Sequence, residues 1–508
     1  MKVLLIYPEC PESFWSFKYA LDFIDKKSAY PPLGLLTVAA MLPGEWEKKL
    51  IDMNVDKLQD KDLLWADIVF ISAMAVQRES VKKVAARCRS LGVKTVAGGP
   101  LFTMEFEEFN DIDHFVLNEA EITLPQFLRD LEKGKPQKIY TTNEKPNLQS
   151  TPIPMWELID MNNYASMSIQ YSRGCPYNCE FCDITNLYGR KQRLKSVEQV
   201  LKELETIYNH GWRGSVFFVD DNFIGNKKIL KSKLLPAIIH WMEKRNNPFW
   251  FITEASIDVA DDDELLDLMR RAGFVHLFVG IESPALESLK ECNKSTNLKR
   301  NLLDSIKKIQ NYGMQVSGGF IIGFDSDPPS IFEKQIKFIQ KSGIVTAMVG
   351  LLNAPKGTKL YEKLKKENRL LPHFSGNNTD FSMNFIPKMN PHRLLEGYKK
   401  LVTAIYSPKA YYERVIEFFK EFKPLKKKRP PMLRFCYIKA FIKSIIYLGI
   451  MEKGRKYYWK LLLKTLIRYP HFLPNAVTFA IYGFHFRKIF DKKPVKIPVN
   501  KKPFSQPS

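Results

Sequence analysis

Cys175, Cys179 and Cys182 stand in the run Gln170-Tyr-Ser-Arg-Gly-Cys-Pro-Tyr-Asn-Cys-Glu-Phe-Cys-Asp-Ile184, a C-x3-C-x2-C spacing with no fourth cysteine close in sequence. A structural zinc site is normally closed by four protein ligands. A cubane iron–sulfur cluster has four irons, so three thiolates leave one iron open to an exogenous ligand. A zinc knuckle completed by a distant ligand, or three unrelated thiols, is the alternative reading. The run follows an apolar stretch, 167–171, that reads as a strand, and Arg173-Gly174 turns the chain into a loop. The chemistry would thus sit at the C-terminal end of a strand, where α/β sheets keep their sites.

Other polar residues fall where apolar, strand-like runs end. They are Asp220, Asp221 and Asn222, then Glu254 and Ser256, then Glu282 and Ser283, and Asp325 after the run Gly318-Gly-Phe-Ile-Ile-Gly323. Each run is otherwise core-like, so polar residues at its rim read as functional. Carboxylates at strand ends also cap the following helix, and that alternative stays open for Asp220 and Asp221.

To bring these groups to one edge, the chain must supply parallel strands with helices between them. Residues 161–368 carry that pattern, with strands expected at 167–171, 215–219, 249–253, 276–281, 316–323 and 346–352. Helices are expected at 197–210, 228–244, 262–272, 298–312 and 332–342. Six βα units are too few for a closed eight-stranded barrel. Residues 1–140 form a second βα series, with strands at 3–7, 49–53, 68–72, 94–97 and 114–117 and helices at 33–42, 79–91 and 119–131. That alternation predicts an α/β, doubly wound sheet of Rossmann-like type. A Pro-, Thr- and Asn-rich connector covers 134–154, and residues 141–160 are taken as the linker. Residues 369–508 are irregular at first, then helical and basic.

The cysteine run, with Phe181 before its third cysteine, resembles the signature of the radical S-adenosylmethionine (SAM) enzymes. The resemblance implies a [4Fe-4S] cluster on the three cysteines, with SAM chelated to the free iron. Reductive cleavage would then give a 5′-deoxyadenosyl radical that takes hydrogen from a substrate. It also implies an open (βα)6 partial TIM barrel. Glu282 is the expected contact to the SAM ribose, the glycine-rich fifth strand (Gly319, Gly323) lies against adenine, and Asp220, Glu254 and Ser283 are further contacts.

Residues 1–140 resemble the cobalamin-binding domain that precedes many such barrels. The resemblance is carried by Tyr30-Pro-Pro-Leu-Gly-Leu35, Asp52-Met-Asn54, Ile71-Ser-Ala-Met74, Gly98-Gly-Pro100 and Asn118-Glu-Ala-Glu121. Ser72, Gly98, Gly99 and Pro100 are then the expected cobalamin contacts, because small residues at strand ends let the backbone approach a large flat ligand. No G-x-G-x-x-G dinucleotide fingerprint follows the first strand. Nor is there the D-x-H-x-x-G of mutase-type cobalamin domains: His114 is the sole histidine of residues 1–140 and its flanks do not fit. No histidine is therefore expected on cobalt. The alternative is a sheet that no longer binds cobalamin.

Glu254-Ala-Ser256, Gly280-Ile-Glu-Ser-Pro284, Gly323-Phe-Asp-Ser-Asp327 and Gly350-Leu-Leu-Asn-Ala354 are similar to a group of cobalamin-dependent radical SAM proteins that includes hopanoid methylases. Residues 369–508 resemble that group's C-terminal extension. The implied activity is methyl transfer to an unactivated carbon: one SAM methylates cobalt and a second supplies the radical. The rivals are a cyclase or oxidoreductase that uses cobalamin without methyl transfer, and a non-catalytic cobalamin or cluster sensor. An electron donor such as flavodoxin or ferredoxin is an implied partner.

Composition bounds the rest. The chain has 508 residues, 45% hydrophobic, enough for two or three cored domains. Cys10, Cys88, Cys292 and Cys436 are scattered, which argues against a disulfide framework and for a reducing, cytoplasmic setting. The apolar start is short for a signal peptide, and no uncharged run is long enough to span a bilayer. From Lys409 onward there are 24 Lys/Arg against 5 Asp/Glu, so +19 of the net +22 lies in the tail. Lys426-Lys-Lys-Arg429 precedes the aromatic-rich stretches 435–450 and 457–467. There Lys439, Lys443, Lys456, Lys460 and Lys464 recur every three or four residues, with apolar residues opposite. Such a helix lies on an anionic membrane, or packs on the barrel with a solvated Lys face. The chain shows no nucleic-acid-binding module. The substrate is a small molecule or lipid that the sequence does not identify, with the basic tail leaning toward lipid.

Overall fold

The computed structural model describes residues 1–372, 374–377, 379–424 and 435–491. A first sheet holds six parallel strands: β1 (Lys2–Tyr7), β2 (Glu47–Asp52), β3 (Ile68–Ser72), β4 (Lys94–Gly98), β5 (His114–Val116) and β6 (Ile139–Tyr140). Their spatial order is β2-β1-β3-β4-β5-β6. Side chains alternate across the pleat, so Leu4 and Ile6 enter one core with Phe102 and Phe115, while Val3 and Leu5 enter another with Phe70 and Phe127. Both faces are covered, as the doubly wound pattern predicts. The order reverses between β1 and β3, and a crevice opens at their C-terminal ends.

Three elements of this region escaped the sequence reading. Asp60–Trp65 and Pro100–Glu105 are helices too short to show a period. The stretch read as a connector supplies β6, which adds to the sheet through Phe115↔Ile139 and Val116↔Tyr140.

The second sheet is also parallel. It runs β7 (Ser166–Ile169), β10 (Ser215–Phe218), β11 (Trp250–Glu254), β12 (Phe274–Glu282), β13 (Gln315–Ile322), β14 (Ala347–Leu351), with consecutive strands side by side. This is the six-stranded partial barrel. A two-residue antiparallel ribbon, β8 (Ser172–Arg173) with β9 (Arg193–Leu194), closes the base of the cysteine loop.

The C-terminal extension is mainly helical. Helices Pro391–Tyr406 and Pro408–Glu421 cover β14, an edge strand whose outward carbonyls need partners. Tyr406 donates its hydroxyl to the Ala347 carbonyl (2.7 Å), and Tyr398 donates to that of Val349 (2.8 Å). Phe435–Ser444 continues as a wider π-turn segment, Ile445–Met451, and is followed by Arg455–Arg468 and Leu473–Phe490. The last helix reaches back to the N-terminal segment: Phe486 stacks on Phe14 with ring centroids 4.2 Å apart, and His485 Nε2 lies 3.1 Å from the Phe14 carbonyl. Lys426–Arg429 lies outside the described residues.

A buried ionic network joins the two α/β units beside the cysteine loop. Glu119, at the start of the helix after β5, accepts from Arg173 (2.8 Å) and forks with Arg193 (2.8 and 2.9 Å). Arg173 also pairs with Glu121 (2.9 Å).

Candidate active site

A single cavity of about 1370 Å³ lies between the C-terminal edge of the first sheet and the inner face of the partial barrel. Pockets for one drug-sized ligand measure roughly 300–1,000 Å³, so there is room for more than one molecule. The barrel wall is made by every second residue: Phe217, Val219 and Asp221; Ile252 and Glu254; His276, Phe278, Gly280 and Glu282; Ser317, Gly319 and Ile321; Met348 and Gly350. That is the period of a strand showing one face inward.

Cys175, Cys179 and Cys182 lie in the loop that leaves β8. Gly174 turns it at φ +96°, and a Cβ there would sit 2.9 Å from the Gly189 carbonyl. The loop is held from outside as well as from its base. Glu180 N–H donates to the Cys292 carbonyl (3.1 Å), Leu360 N–H donates to the Glu180 carbonyl (3.0 Å), and Cys175 N–H donates to the Gly189 carbonyl (3.2 Å). Phe181, Cys182 and Asp183 line the cavity. Burial raises all three thiols; Cys175 and Cys182 are raised further by Cys179, and Cys179 itself lies beside Lys294 and Glu282. Yet among the described residues no three His, Cys, Asp or Glu form a group that could hold one metal ion. Three thiols on one short loop at the cavity's edge are the donor set that a cubane cluster with one open iron takes.

Glu282 ends β12 in the left-handed region (φ +61°), at a register shift between Gly280 and Glu282. Such bulges re-aim a side chain. Its Oε1 accepts from Lys294 Nζ at 2.7 Å. A Cβ on Gly280 would lie 2.3 Å from that oxygen and 2.8 Å from Lys294 Nζ, so a larger residue there would displace the pair. Burial disfavours the Lys294 charge, but Glu282 and Cys179 outweigh it and hold the ammonium above the usual lysine range.

Of the residues expected from sequence, Phe181, Glu254, Glu282, Gly319, Ser72, Gly98, Gly99 and Pro100 line the cavity. Asp220, Ser283 and Gly323 do not, and each has a structural task. Asp220 and Asp221 lie just past the end of β10, where the chain turns, and point to opposite sides. Asp220 is buried, accepting from the backbone N–H groups of Tyr171 and Ser172 and from the Ser172 hydroxyl. Asp221 faces the cavity, and its Oδ2 is buried without a hydrogen-bond partner. Ser283 is fully buried and accepts from Ala285 N–H. Gly323 turns the chain at φ +109°, its N–H bound to Asp327 Oδ2 (2.8 Å). Sequence reading missed Lys294, which lies twelve residues beyond Glu282 in a loop without periodicity. It also passed over His276, which lines the cavity, hydrogen-bonds Ser317 (2.6 Å) and is pushed down to about 4 by burial.

On the first sheet, Ser72, Gly98 and Gly99 form a wall of backbone and small side chains. A Cβ on Gly98 would meet the Val116 carbonyl at 2.7 Å, and one on Gly99 (φ +92°) would meet Ser72 Oγ at 2.6 Å. This flat wall at the ends of β3 and β4, beside the strand-order reversal, fits a broad planar ligand. His114 does not line it; its Nδ1 is tied to the Gln137 carbonyl (2.7 Å).

Two cavity carboxyls are pushed up into the neutral range. Burial, reinforced by Asp221 and Asp220, pushes Glu254 up to about 8, and burial with Asp220 pushes Asp221 up to about 7. A raised carboxyl contributes stability that is complete below its unfolded value and is lost as pH climbs through its folded one. For Glu254 that window runs from about 4.5 to about 8. In the cofactor-free protein, Glu254→Gln should therefore gain thermal stability over the native chain progressively across this window. The gain should be constant above it, and an advantage equal at pH 5 and pH 8.5 would refute the assignment.

Comparison with known proteins matches three stretches of the chain: a B12 binding domain at 24–128, the radical SAM superfamily at 169–339, and a domain of unknown function (DUF4070) at 358–496. An uncharacterized methyltransferase, sll1242, of Synechocystis is 40% identical over 96% of this chain and 91% of its own. The hopanoid C-2 methylase of Rhodopseudomonas palustris is 33% identical over 92% of this chain and 90% of its own. Among solved structures, the radical SAM methyltransferase TsrM of Kitasatospora setae, with cobalamin and a [4Fe-4S] cluster bound, superposes with a TM-score of 0.62. It shares 14% identity and covers 96% of this chain and 99% of that one. The cobalamin-dependent radical SAM enzyme OxsB, with aqua-cobalamin bound, gives 0.61 at 16% identity, covering 96% and 79%.

Proposed function

The chain belongs to the cobalamin-dependent radical SAM methyltransferase family that includes the hopanoid C-2 methylase, and from that premise we propose that it methylates an unactivated carbon of an apolar, lipid-like substrate. One observation carries the reading. The cysteine loop, the glycine wall of the first sheet and the inner barrel face border the same cavity, so three reacting partners can meet without crossing solvent. When bound, a [4Fe-4S] cluster supplies the electron that cleaves SAM and the corrinoid supplies the methyl group. The electron itself must enter from an external donor such as flavodoxin or ferredoxin.

The chain's own residues hold and orient. Cys175, Cys179 and Cys182 would bind the cluster. Lys294, cationic and buried beside Cys179, would meet the SAM carboxylate, and Glu282 would accept from the ribose hydroxyls. Asp221 brings a buried oxygen with no protein partner to the same edge. Phe278, with Trp15 packed against it at 5.3 Å, excludes water from the substrate side. A mostly apolar lining favours an apolar substrate.

Removing one partner of a buried charge pair costs about 2–5 kcal/mol. Lys294→Met should accordingly raise the KM for SAM by roughly thirtyfold or more. Iron content should be unchanged; unaltered SAM affinity would show that Lys294 serves folding alone.

The reading as a whole is tested by anaerobic turnover against lipid extracts. Methyl transfer requires 5′-deoxyadenosine and a product heavier than its substrate by one methylene. Deoxyadenosine with a product of unchanged carbon count would identify a cyclase or oxidoreductase. No deoxyadenosine under reductant would leave only a sensor.

A further inference from the structure

The helical stretch 435–468 carries more apolar surface than its packing uses. In Arg455–Arg468, Tyr458, Leu461, Leu462 and Thr465 are buried against the neighbouring helices of the extension. Their spacing, i, i+3, i+4, i+7, is one face of a helix. Trp459, Leu463, Leu466 and Ile467 repeat at i, i+4, i+7, i+8 and form a second apolar face left exposed among the described residues; Leu463 is 57% exposed and Ile467 79%. Lys456 and Lys460, exposed, lie along its far border, followed by half-buried Lys464. The preceding leg repeats the arrangement. Ala440, Ser444 and Leu448 turn inward, while Ile438, Ile442, Ile450 and Met451 are exposed. Trp459 Nε1–H donates to the Gly449 carbonyl (2.9 Å), which ties the two legs together at their turn.

Charge selects the occupant. Between residues 435 and 468 there are eight Lys/Arg and one acidic residue, Glu452, and that glutamate is bound by Arg487 (2.7 and 2.9 Å). A protein partner would have to bury this ring of cations against matching acids. An anionic bilayer surface satisfies both halves at once: acyl chains take the aliphatic stripe, headgroups take the cations, and a half-exposed tryptophan sits at the boundary. No helix among the described residues is long and apolar enough to cross a membrane. We propose that residues 435–468 form a hairpin that lies in the plane of an anionic lipid surface, with Trp459, Leu463, Leu466, Ile467, Ile442 and Ile450 inserted.

The hairpin is joined to the reaction cavity. Lys439 and Lys443 pair with Asp25 (2.6 and 2.7 Å), and Lys443 also donates to the Asp22 carbonyl (2.5 Å). The segment just before, Ser13–Lys18, contributes Trp15 to the cavity wall. Docking would bring that wall to the bilayer, the source of a lipid substrate under the reading above, but the docking itself rests on the surface alone.

The experiment is flotation of the full-length holoprotein with phosphatidylcholine vesicles and with phosphatidylcholine–phosphatidylglycerol vesicles. Binding to the mixed vesicles, weak to phosphatidylcholine alone and falling with salt, is expected. Leu463→Ser/Leu466→Ser/Ile467→Ser should weaken it at least tenfold, and Lys456→Gln/Lys460→Gln roughly thirtyfold at low salt, at about a fivefold loss per cation. All five side chains are exposed or nearly so, and unchanged unfolding temperatures verify the fold. The proposal is overturned if the native protein ignores the mixed vesicles, or if the serine variant binds them equally. It is also overturned if lipid-free protein is a dimer that the serine variant dissociates, since a second copy would then be the occupant. None of these results depends on turnover, so they are distinguishable from a failure of the methyl-transfer reading.

Discussion

Replacing any one of Cys175, Cys179 and Cys182 with Ala should abolish the iron–sulfur absorbance and lower SAM cleavage by roughly a thousandfold or more, to background. The size follows from ligand count: a cubane held by three thiolates has none to spare, and its fourth iron must stay open. The informative control is Cys292. The fold brings it next to Cys179, and its carbonyl holds Glu180 of the cysteine loop. Its thiol, though, points to the Leu289 carbonyl (3.6 Å) in an apolar cluster with Phe324, Leu352 and Ala354. Cys292→Ala should therefore keep its cluster, as should Cys10→Ala. Full cleavage by a variant of the three-cysteine loop would refute the cluster assignment. Loss of the cluster in Cys292→Ala would show a fourth protein ligand.

Glu119→Gln should destabilise the protein by roughly 3–5 kcal/mol, the cost of leaving buried charge uncompensated. Glu119 is almost wholly buried and serves two guanidinium groups, those of Arg173 and Arg193, which flank the cysteine loop on β8 and β9. Glu121 also pairs with Arg173 and is assisted by Thr151, but it makes no bond to Arg193, so Glu121→Gln should cost less. The midpoint of urea unfolding measures both. Because the network joins the first sheet to the base of the loop, Glu119→Gln should also lower iron retention at moderate urea. Equal stability of the two variants would show that the fork to Arg193 contributes nothing.

The sequence resolved what depends on local order. Parallel strands buried on both faces are continuous apolar runs, so Ile68–Ser72 and β13 were legible directly. The helix expected at 197–210 is Val197–Asn209 in the structure, where Ser196 caps it. Edges were not: β6 is two residues long, and its pairing depends on β5, which lies over twenty residues away. The helix Leu473–Phe490 has apolar residues on all sides and gave no periodic signal, because it is buried between the extension and Phe14.

By itself the sequence determined the chemistry-bearing types and their spacing: three cysteines in one loop, carboxylates at strand ends, glycines where a ligand approaches, and a charged tail. Only the tertiary structure decided which of them share a space. The turn that leaves β10 sends Asp221 rather than Asp220 to the cavity. The bulge at Gly280–Glu282 turns a carboxylate toward Lys294, and three-dimensional packing splits the tail's apolar residues into one stripe that is buried and another that is not. Spacing along a chain fixes which side chains share a face, but which faces meet is set by contacts between elements far apart in sequence, and those exist only in the fold.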